Sequence, residues 1–173
     1  MPELTGVDLS TATAATRVAS GMSGLFGAGY EVTRCSDSSY TTMCATNQGG
    51  VGNNWVAMQV PAGTNVGYVA VYNRRDYASI QNWIGSFQVY LGTSAGDTSG
   101  TLCGDATYRN AGDDTAPYVL SCGGASSGTW ITVRQTACPS TCLLALAELE
   151  VYQMLGAPSP PPPLLPALWL VRT

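Results

Sequence analysis

The chain has 173 residues, with seven basic against eleven acidic side chains and a formal net charge of -4. This length accommodates one domain of about 150 residues with a single core, followed by a short tail. Basic side chains cluster only at Arg74 and Arg75, so the charge pattern excludes a nucleic-acid backbone as the expected partner. Charged residues make up 10% of the sequence and Tyr outnumbers Phe nine to two, which is typical of an all-β domain with a polar extracellular surface.

The N-terminal segment is small and polar, and its glycines interrupt any regular period. We expect a short strand and a long loop between Leu4 and Gly29, with the loop continuing from Tyr30 to Gly52. No basic start followed by an apolar run is visible in these residues, so they show no recognisable signal peptide.

Alternation of apolar and polar residues predicts strands in the rest of the domain. Asn54 to Val60 forms the first of these and ends at a Pro-Ala-Gly turn. Two strands within Val66 to Gly92 then enclose the loop Asn73 to Trp83. The remaining candidates are Thr101 to Cys103, Tyr118 to Cys122, Thr129 to Arg134 and Leu143 to Gln153.

The last candidate is ambiguous, because Leu, Ala and Glu favour helices. Its end nevertheless alternates Leu149 and Val151 with Glu148 and Glu150, which is the period of a strand. Since the neighbouring segments are also β, we interpret it as the closing strand of an all-β domain.

The composition changes after residue 155. Ala157 to Pro163 (APSPPPP) suits neither a helix nor a sheet ladder and predicts stiff polyproline II. The apolar residues that follow are broken by Pro166 and fall short of the roughly 20 needed to cross a bilayer. We therefore expect a domain over residues 1–155 and a Pro-rich tail over 156–173, extended or disordered, with no transmembrane segment.

The six cysteines occur in local pairs, which are Cys35 and Cys44, Cys103 and Cys122, and Cys138 and Cys142. Many connectivities are possible for six cysteines, and sequential pairing is the one that we predict. The chain has no histidine and no C-x-x-C motif, so a zinc site is not indicated. Disulfides imply an oxidising, secreted setting, and the alternative is six reduced thiols in a cytosolic protein.

The loop between the two central strands concentrates polar and aromatic residues, namely Arg74, Arg75, Asp76, Tyr77, Gln81, Asn82 and Trp83. Rigid scaffolds commonly display recognition residues on such loops. A guanidinium oriented by a carboxylate can donate to two neighbouring hydroxyls, and an aromatic ring can stack on the apolar face of a sugar. The alternatives are that Arg74 and Asp76 form a surface ion pair bracing the loop, and that Trp83 packs beneath it.

Four motifs in order resemble the F-type lectins, or fucolectins, whose fold is shared with discoidin-like galactose-binding domains. These motifs are Trp55, VAVYNRRD followed by IGSFQVYLG, Leu102-Cys103-Gly104 with a later Cys122, and GTWITVR followed by LALAELEVY. The likeness covers roughly Leu4 to Gln153. It implies an antiparallel β-sandwich of the jelly-roll type.

The resemblance also implies a sugar site. In the family a histidine of an early loop, the arginine of an R-x-D motif and a second basic residue contact the sugar. Arg74 matches that arginine and Asp76 the aspartate, whereas Thr46 or Asn47 stands for the histidine and Gln81 or Trp83 for the second basic residue. The resemblance therefore implies glycan binding without fucose specificity, through Arg74, Asp76, Gln81, Trp83, Asn47, Thr46 and Tyr77.

Similar lectins hold a structural calcium ion between an early acidic loop and the first glutamate of the closing strand. That glutamate is Glu148 here, and Asp37 lies in the early loop Cys35 to Cys44. Calcium takes six to eight oxygen ligands, which the backbone carbonyls of such a loop can supplement. The resemblance implies a calcium site at Glu148 and Asp37.

No arrangement of residues indicates catalysis, because the chain has no histidine and no G-x-S-x-G elbow. We expect an extracellular carbohydrate-binding module with glycans or glycoproteins as partners and no enzyme activity. The alternative is a structural or adhesive domain of a matrix, cell wall or surface filament, because the tail resembles the linkers of hydroxyproline-rich glycoproteins. The two hypotheses differ in whether the Arg74 loop is open to solvent or covered by a neighbouring protein.

Overall fold

A computed structural model describes residue 4 and residues 6–109, 116–138 and 142–154. Within these residues two antiparallel sheets pack face to face, as the all-β sandwich prediction requires. The expected tail, residues 156–173, lies outside the described residues. None of the helices in the described ranges has the length and apolar character needed to span a membrane.

Ten strands form the two sheets of the described part. They are β1 (Thr13–Ala14), β2 (Ala19–Met22), β3 (Cys44–Ala45), β4 (Trp55–Gln59), β5 (Val66–Asn73), β6 (Ser86–Gly92), β7 (Thr101–Thr107), β8 (Tyr118–Ala125), β9 (Trp130–Ala137) and β10 (Ala145–Gln153). Short 3₁₀ helices cover Leu9–Thr11, Val32–Cys35 and Ala78–Ile84. The first sheet has the order β1-β10-β5-β8, with β3 also pairing with β10, and the second has the order β2-β4-β9-β6-β7.

The apolar side chains that alternate along the central strands meet between the sheets. Val69 and Val71 of β5 are fully buried, as are Phe87 and Val89 of β6. Phe87 also packs edge-on against Tyr118 of the opposite sheet, with 5.3 Å between ring centroids. Each such side chain contributes about 1.5–3 kcal/mol when removed from water, so the alternation itself drives the sandwich.

The closing segment is a strand, as the alternation of its end predicted. β10 pairs with β5 on one side and with β1 and β3 on the other, so it lies inside its sheet. The helix propensity of its Leu and Ala residues is outweighed by these long-range ladders and by the burial of Leu149 and Val151.

The N-terminal segments contain more strand than the sequence indicated. Two short strands, β1 and β2, replace the single one expected before Gly29, and β3 lies in the segment expected to be loop. All three pair with distant strands, and segments this short show no readable alternation. β7, β8 and β9 extend a few residues beyond their predicted ends, where they pair with strands distant in the sequence.

The predicted sequential disulfides are confirmed. Cys35 pairs with Cys44, Cys103 with Cys122, and Cys138 with Cys142. The bond from Cys103 on β7 to Cys122 on β8 joins the two sheets at an edge of the sandwich. The bond from Cys35 to Cys44 closes the loop that precedes β3.

The connection from β5 to β6, residues 74–85, carries the chain from the first sheet to the second. It contains the 3₁₀ helix Ala78–Ile84 and ends at Gly85, whose φ is 59°. A Cβ at Gly85 would collide with the carbonyl of Ala137 on β9, so this corner needs glycine. The crossing therefore enters β6 at one tightly defined point.

Candidate functional site

Arg74 lies where β5 leaves the sheet, and its side chain is buried against Asp76. Arg74 Nε and Nη2 donate to Asp76 Oδ1 and Oδ2 over 2.8 and 2.7 Å. The exposed fraction is 6% for the arginine side chain and 28% for the aspartate. These hydrogen bonds hold the pKa of the Asp76 carboxyl below its usual value. The pair is thus a bidentate bond at the base of the loop, with the guanidinium largely buried.

Asn73 fixes the same loop from the end of β5. Its Oδ1 accepts from the backbone N–H of Arg74 over 2.9 Å, and its Nδ2 donates to the carbonyl of Gln81 over 2.9 Å. The amide bridges the start of the crossing to its 3₁₀ helix. The backbone of Arg74 is consequently held in one conformation.

A cavity of about 200 Å³ lies beside Arg74, and we call it the Arg74 cavity. The Arg74 guanidinium carbon is 5.5 Å from the ring centroid of Trp83, close enough for a cation–π interaction. The walls of the Arg74 cavity are mostly aromatic and apolar, formed by Phe26, Tyr30, Ala45, Tyr77, Ile80, Trp83 and Leu143.

Three of the predicted sugar-binding residues, Arg74, Tyr77 and Trp83, line the Arg74 cavity, and Asp76 orients the first. Tyr77 is 64% exposed, so its ring is accessible at the rim. Gln81 is buried, and its Oε1 has no hydrogen-bond partner among the described residues.

The two early-loop candidates lie elsewhere. Thr46 is fully buried, and its hydroxyl accepts from the backbone N–H of Leu144 over 3.1 Å, so it supports the chain entering β10. Asn47 is exposed and bonds through its backbone N–H to the carbonyl of Gly24. The structure therefore does not bring Thr46 or Asn47 into the lining of the Arg74 cavity.

Phe26 and Tyr30 line the Arg74 cavity, whereas the predicted residues Thr46 and Asn47 do not. Their rings form an edge-on pair with centroids 5.3 Å apart, and Phe26 is 49% exposed. Both come from the Gly-rich segment that sequence reasoning treated as a featureless loop. Two aromatic residues within that polar segment were the available signal.

Gln135 on β9, which sequence reasoning also missed, anchors the far end of the crossing. This fully buried residue donates through Nε2 to the carbonyls of Trp83 and Ile84 over 2.6 and 3.2 Å. Its Oε1 accepts from Asn54 Nδ2 over 3.0 Å. Because the carbonyl of Trp83 is held by this amide, the Trp83 ring is positioned from the opposite sheet.

A second polar site surrounds Glu148, which is 2% exposed. Burial, followed by the negative charges of Asp37 and Glu150, raises the pKa of the Glu148 carboxyl to about 7. Backbone hydrogen bonds from Leu149 and Ser38 oppose this shift in part. Tyr40 donates to Glu150 over 2.7 Å and so ties the Cys35–Cys44 loop to β10.

Two buried oxygens near Glu148 are candidate ligands for the calcium ion that the resemblance implies. Glu148 Oε2 and Ser36 Oγ have no hydrogen-bond partner among the described residues, and both residues line one cavity of about 230 Å³. Arg17 lines the same cavity, whereas Asp37 is not among its lining residues. The described residues contain no cluster of three or more His, Cys, Asp or Glu side chains, so Glu148 and Asp37 would need backbone carbonyls beside them. Unpartnered buried oxygens next to a carboxylate suit a hard cation.

Solved structures of lectin and carbohydrate-binding domains are similar to this one. The lectin domain of lectinolysin complexed with Lewis B antigen has a TM-score of 0.62 at 20% identity, over 79% of this chain and 93% of that chain. The F-lectin (fucolectin) from striped bass serum, Morone saxatilis, has a TM-score of 0.64 at 19% identity, over 83% and 50%. The family 32 module of C. perfringens NanJ, in complex with galactose, has a TM-score of 0.60 at 13% identity, over 78% and 93%.

The chain has the fold of these lectin domains. The resemblance and the jelly-roll β-sandwich predicted from the sequence are thereby confirmed. No protein-family model matches the sequence, and no curated protein matches it either. At identities of 20% or less the likeness establishes the fold, and the chemistry must be argued from the cavity itself.

Replacing Gln135 by Met removes its hydrogen bonds while nearly conserving its volume. We expect a loss of about 1–3 kcal/mol in the free energy of unfolding, because the buried carbonyls of Trp83 and Ile84 lose their donor. Chemical denaturation measures the loss, with Gln48→Met as the exposed control. Equal unfolding midpoints for Gln135→Met and the control would contradict the anchoring role.

The Glu148 carboxyl predicts a pH dependence of stability in the presence of EDTA. Its pKa is about 7 in the folded chain against 4.5 ordinarily, so the folded state holds the extra proton between these values. The free energy of unfolding should therefore fall, by roughly 2–3 kcal/mol, as the pH rises from 4.5 to 7. Glu148→Gln should remove this fall, whereas Glu31→Gln, at an exposed position, should retain it. Identical pH profiles for wild type and Glu148→Gln would disprove the assignment.

Proposed function

We propose that this domain is an extracellular carbohydrate-binding module that holds a sugar in the Arg74 cavity. The observation that carries the proposal is the guanidinium of Arg74, fixed by Asp76 beneath aromatic walls. The three disulfides, which use all six cysteines, support an oxidising and hence extracellular setting. The proposed role is binding without catalysis.

The donor geometry of Arg74 suits a polyol. Asp76 occupies Nε and Nη2, and Nη1 makes no hydrogen bond with any described residue. Its N–H groups can donate to sugar hydroxyls, and the carboxylate fixes their direction in advance. A donor that is already oriented loses little entropy on binding, so one such group contributes strongly.

The walls of the cavity suit the apolar face of a sugar ring. Tyr77 and Trp83 present aromatic surface, on which the C–H groups of a pyranose can pack. A volume of about 200 Å³ lies below the roughly 300–1,000 Å³ of sites for drug-sized ligands, so it suits one ring. We infer a single sugar residue at the end or branch of a glycan.

The similar structures support a glycan as the class of ligand. Two of those reported above are complexes, one with Lewis B antigen and one with galactose. The chain has no histidine to make the sugar contact that the family's early-loop histidine makes, and Thr46 and Asn47 do not line the cavity. We therefore propose recognition of a sugar other than fucose.

The Glu148 site is proposed to bind calcium as a structural ion. The ion would supply positive charge to Glu148 and Asp37, and those residues would hold the Cys35–Cys44 loop against β10. This loop precedes β3, whose Ala45 lines the Arg74 cavity. Occupation of the Glu148 site would therefore stabilise one wall of the proposed sugar site.

Arg74→Ala tests the proposed sugar site on a glycan array of the purified, oxidised domain. We expect binding to fall at least about tenfold, because hydrogen bonds from a charged donor are each worth about 1.5–3 kcal/mol. Arg34→Ala removes the same charge at an exposed position and should bind as wild type.

Tyr77→Ala guards against a folding defect in the Arg74→Ala variant, because it removes an exposed wall without touching the core. It should weaken binding several-fold at unchanged melting temperature. If the folded wild-type domain binds no glycan on the array, the sugar proposal is rejected. The structural or adhesive module, in which a neighbouring chain covers the Arg74 loop, is then favoured.

Calcium binding is tested by the melting temperature at neutral pH. Adding calcium to the EDTA-treated domain should raise it by several degrees, since a hundredfold excess over Kd stabilises by about 2.7 kcal/mol. Glu148→Gln should lose the rise, and Glu31→Gln should keep it. If millimolar calcium leaves the melting temperature of the wild-type domain unchanged, the proposed calcium site is refuted.

A further inference from the structure

The 3₁₀ helix Ala78–Ile84 borders a second cavity, larger than the Arg74 cavity. This cavity measures about 440 Å³, and we call it the Asn82 cavity. It shares no lining residue with the Arg74 cavity. Its lining consists of Asn82, Gly85, Ser86, Thr107, Tyr108, Ala137 and Cys138.

The walls of the Asn82 cavity are the paired ends of three strands. Ser86 of β6 lies opposite Thr107 of β7 and Ala137 of β9. The hydroxyls of Ser86 and Thr107 are hydrogen-bonded to each other over 3.0 Å. The backbone N–H of Tyr108 donates to the carbonyl of Gly85 over 2.8 Å. These ladder contacts make the cavity preformed.

The lining residues that the structure describes offer hydrogen bonds and an aromatic ring, and none of them is charged. Asn82 supplies an amide, Ser86 and Thr107 supply hydroxyls, and Tyr108 supplies a phenol ring. Asn82 Oδ1 is buried and has no hydrogen-bond partner among the described residues. A buried amide oxygen without a donor is unfavourable, so a ligand hydroxyl or N–H that reached it would be favoured.

We propose that the Asn82 cavity is a second ligand site, which takes a neutral saccharide of about two rings. Uncharged donors and acceptors beside an aromatic wall match a molecule that combines hydroxyls with apolar C–H faces. The volume of about 440 Å³ lies within the roughly 300–1,000 Å³ of sites for compact ligands. The proposal stands on this cavity alone and does not require sugar binding at Arg74.

Backbone amide chemical shifts of the ¹⁵N-labelled full chain test the proposal, with cellobiose, lactose and N,N′-diacetylchitobiose as millimolar probes. We expect at least one probe to shift the amides of Gly85, Ser86, Thr107 and Tyr108. Asn82→Leu, which removes the amide at similar volume, should weaken that response at least tenfold. Ala137→Tyr, which adds bulk at an exposed position of the lining, should abolish it.

The Arg74→Ala variant separates this second site from the proposed first one. The shifts at Ser86 and Thr107 should persist in that variant with unchanged affinity. The proposal is overturned if the three probes leave these amides unmoved, if they move only amides around Arg74 and Tyr77, or if Asn82→Leu and Ala137→Tyr respond as wild type does. Binding at Arg74 can fail or succeed without altering this outcome.

Discussion

The structure depends on how the chain passes from one sheet of the sandwich to the other after β5. Residues 74–85 leave the ladder of the first sheet, so their polar groups need other partners when they are buried. Asn73 supplies them at the start of the crossing, and Gln135 supplies them at its end. Both amides are almost fully buried, and together they make the crossing rigid.

That rigidity gives the crossing two chemically different sides. Arg74, Tyr77 and Trp83 border one cavity, and Asn82 with Gly85 borders another. Arg74 is charged and bidentately bonded, whereas the described residues that line the Asn82 cavity are all uncharged. A single short segment can therefore present a cationic donor and a neutral amide to two ligands, because its backbone is held by the strands around it.

Next to the Cys35–Cys44 loop, the Glu148 carboxyl is both buried and close to the negative charges of Asp37 and Glu150. Glu148 is buried with one oxygen unpartnered, and its carboxyl pKa rises to about 7 in consequence. The carboxyl is therefore either protonated or in need of a counter-charge. The hydrogen bond from Tyr40 to Glu150 and the Cys35–Cys44 disulfide hold the loop near Glu148. The buried carboxyl therefore lies in a well-anchored part of the fold.

Much of the fold was predictable because its signals are local. The strands β4, β5 and β6 follow the alternation of apolar residues, and the disulfides follow the nearest spacing of cysteines. β1, β2 and β3 were missed or merged because two to four residues carry no period, and their existence depends on distant partners. Arg74 and Asp76 were identified correctly as a pair because they lie only two positions apart in the chain, so the contact between them is local.

The remaining site residues depended on contacts between segments far apart in the chain. Thr46 and Asn47 were placed by analogy of position, yet the first is fully buried and the second is exposed, and neither lines the cavity. Phe26 and Gln135 reach the site from the N-terminal loop and from β9, and no spacing in the sequence announces either contact.

The sequence by itself determined the β class and the Arg74–Asp76 loop and favoured the sequential cysteine pairing, because hydrophobic period, charge pairing and loop closure act over short distances. Only the tertiary structure decided which aromatic residues surround Arg74, which carboxylate is buried and where the second cavity lies. Those features arise where segments far apart in the chain pack together, and that packing is set by the core as a whole.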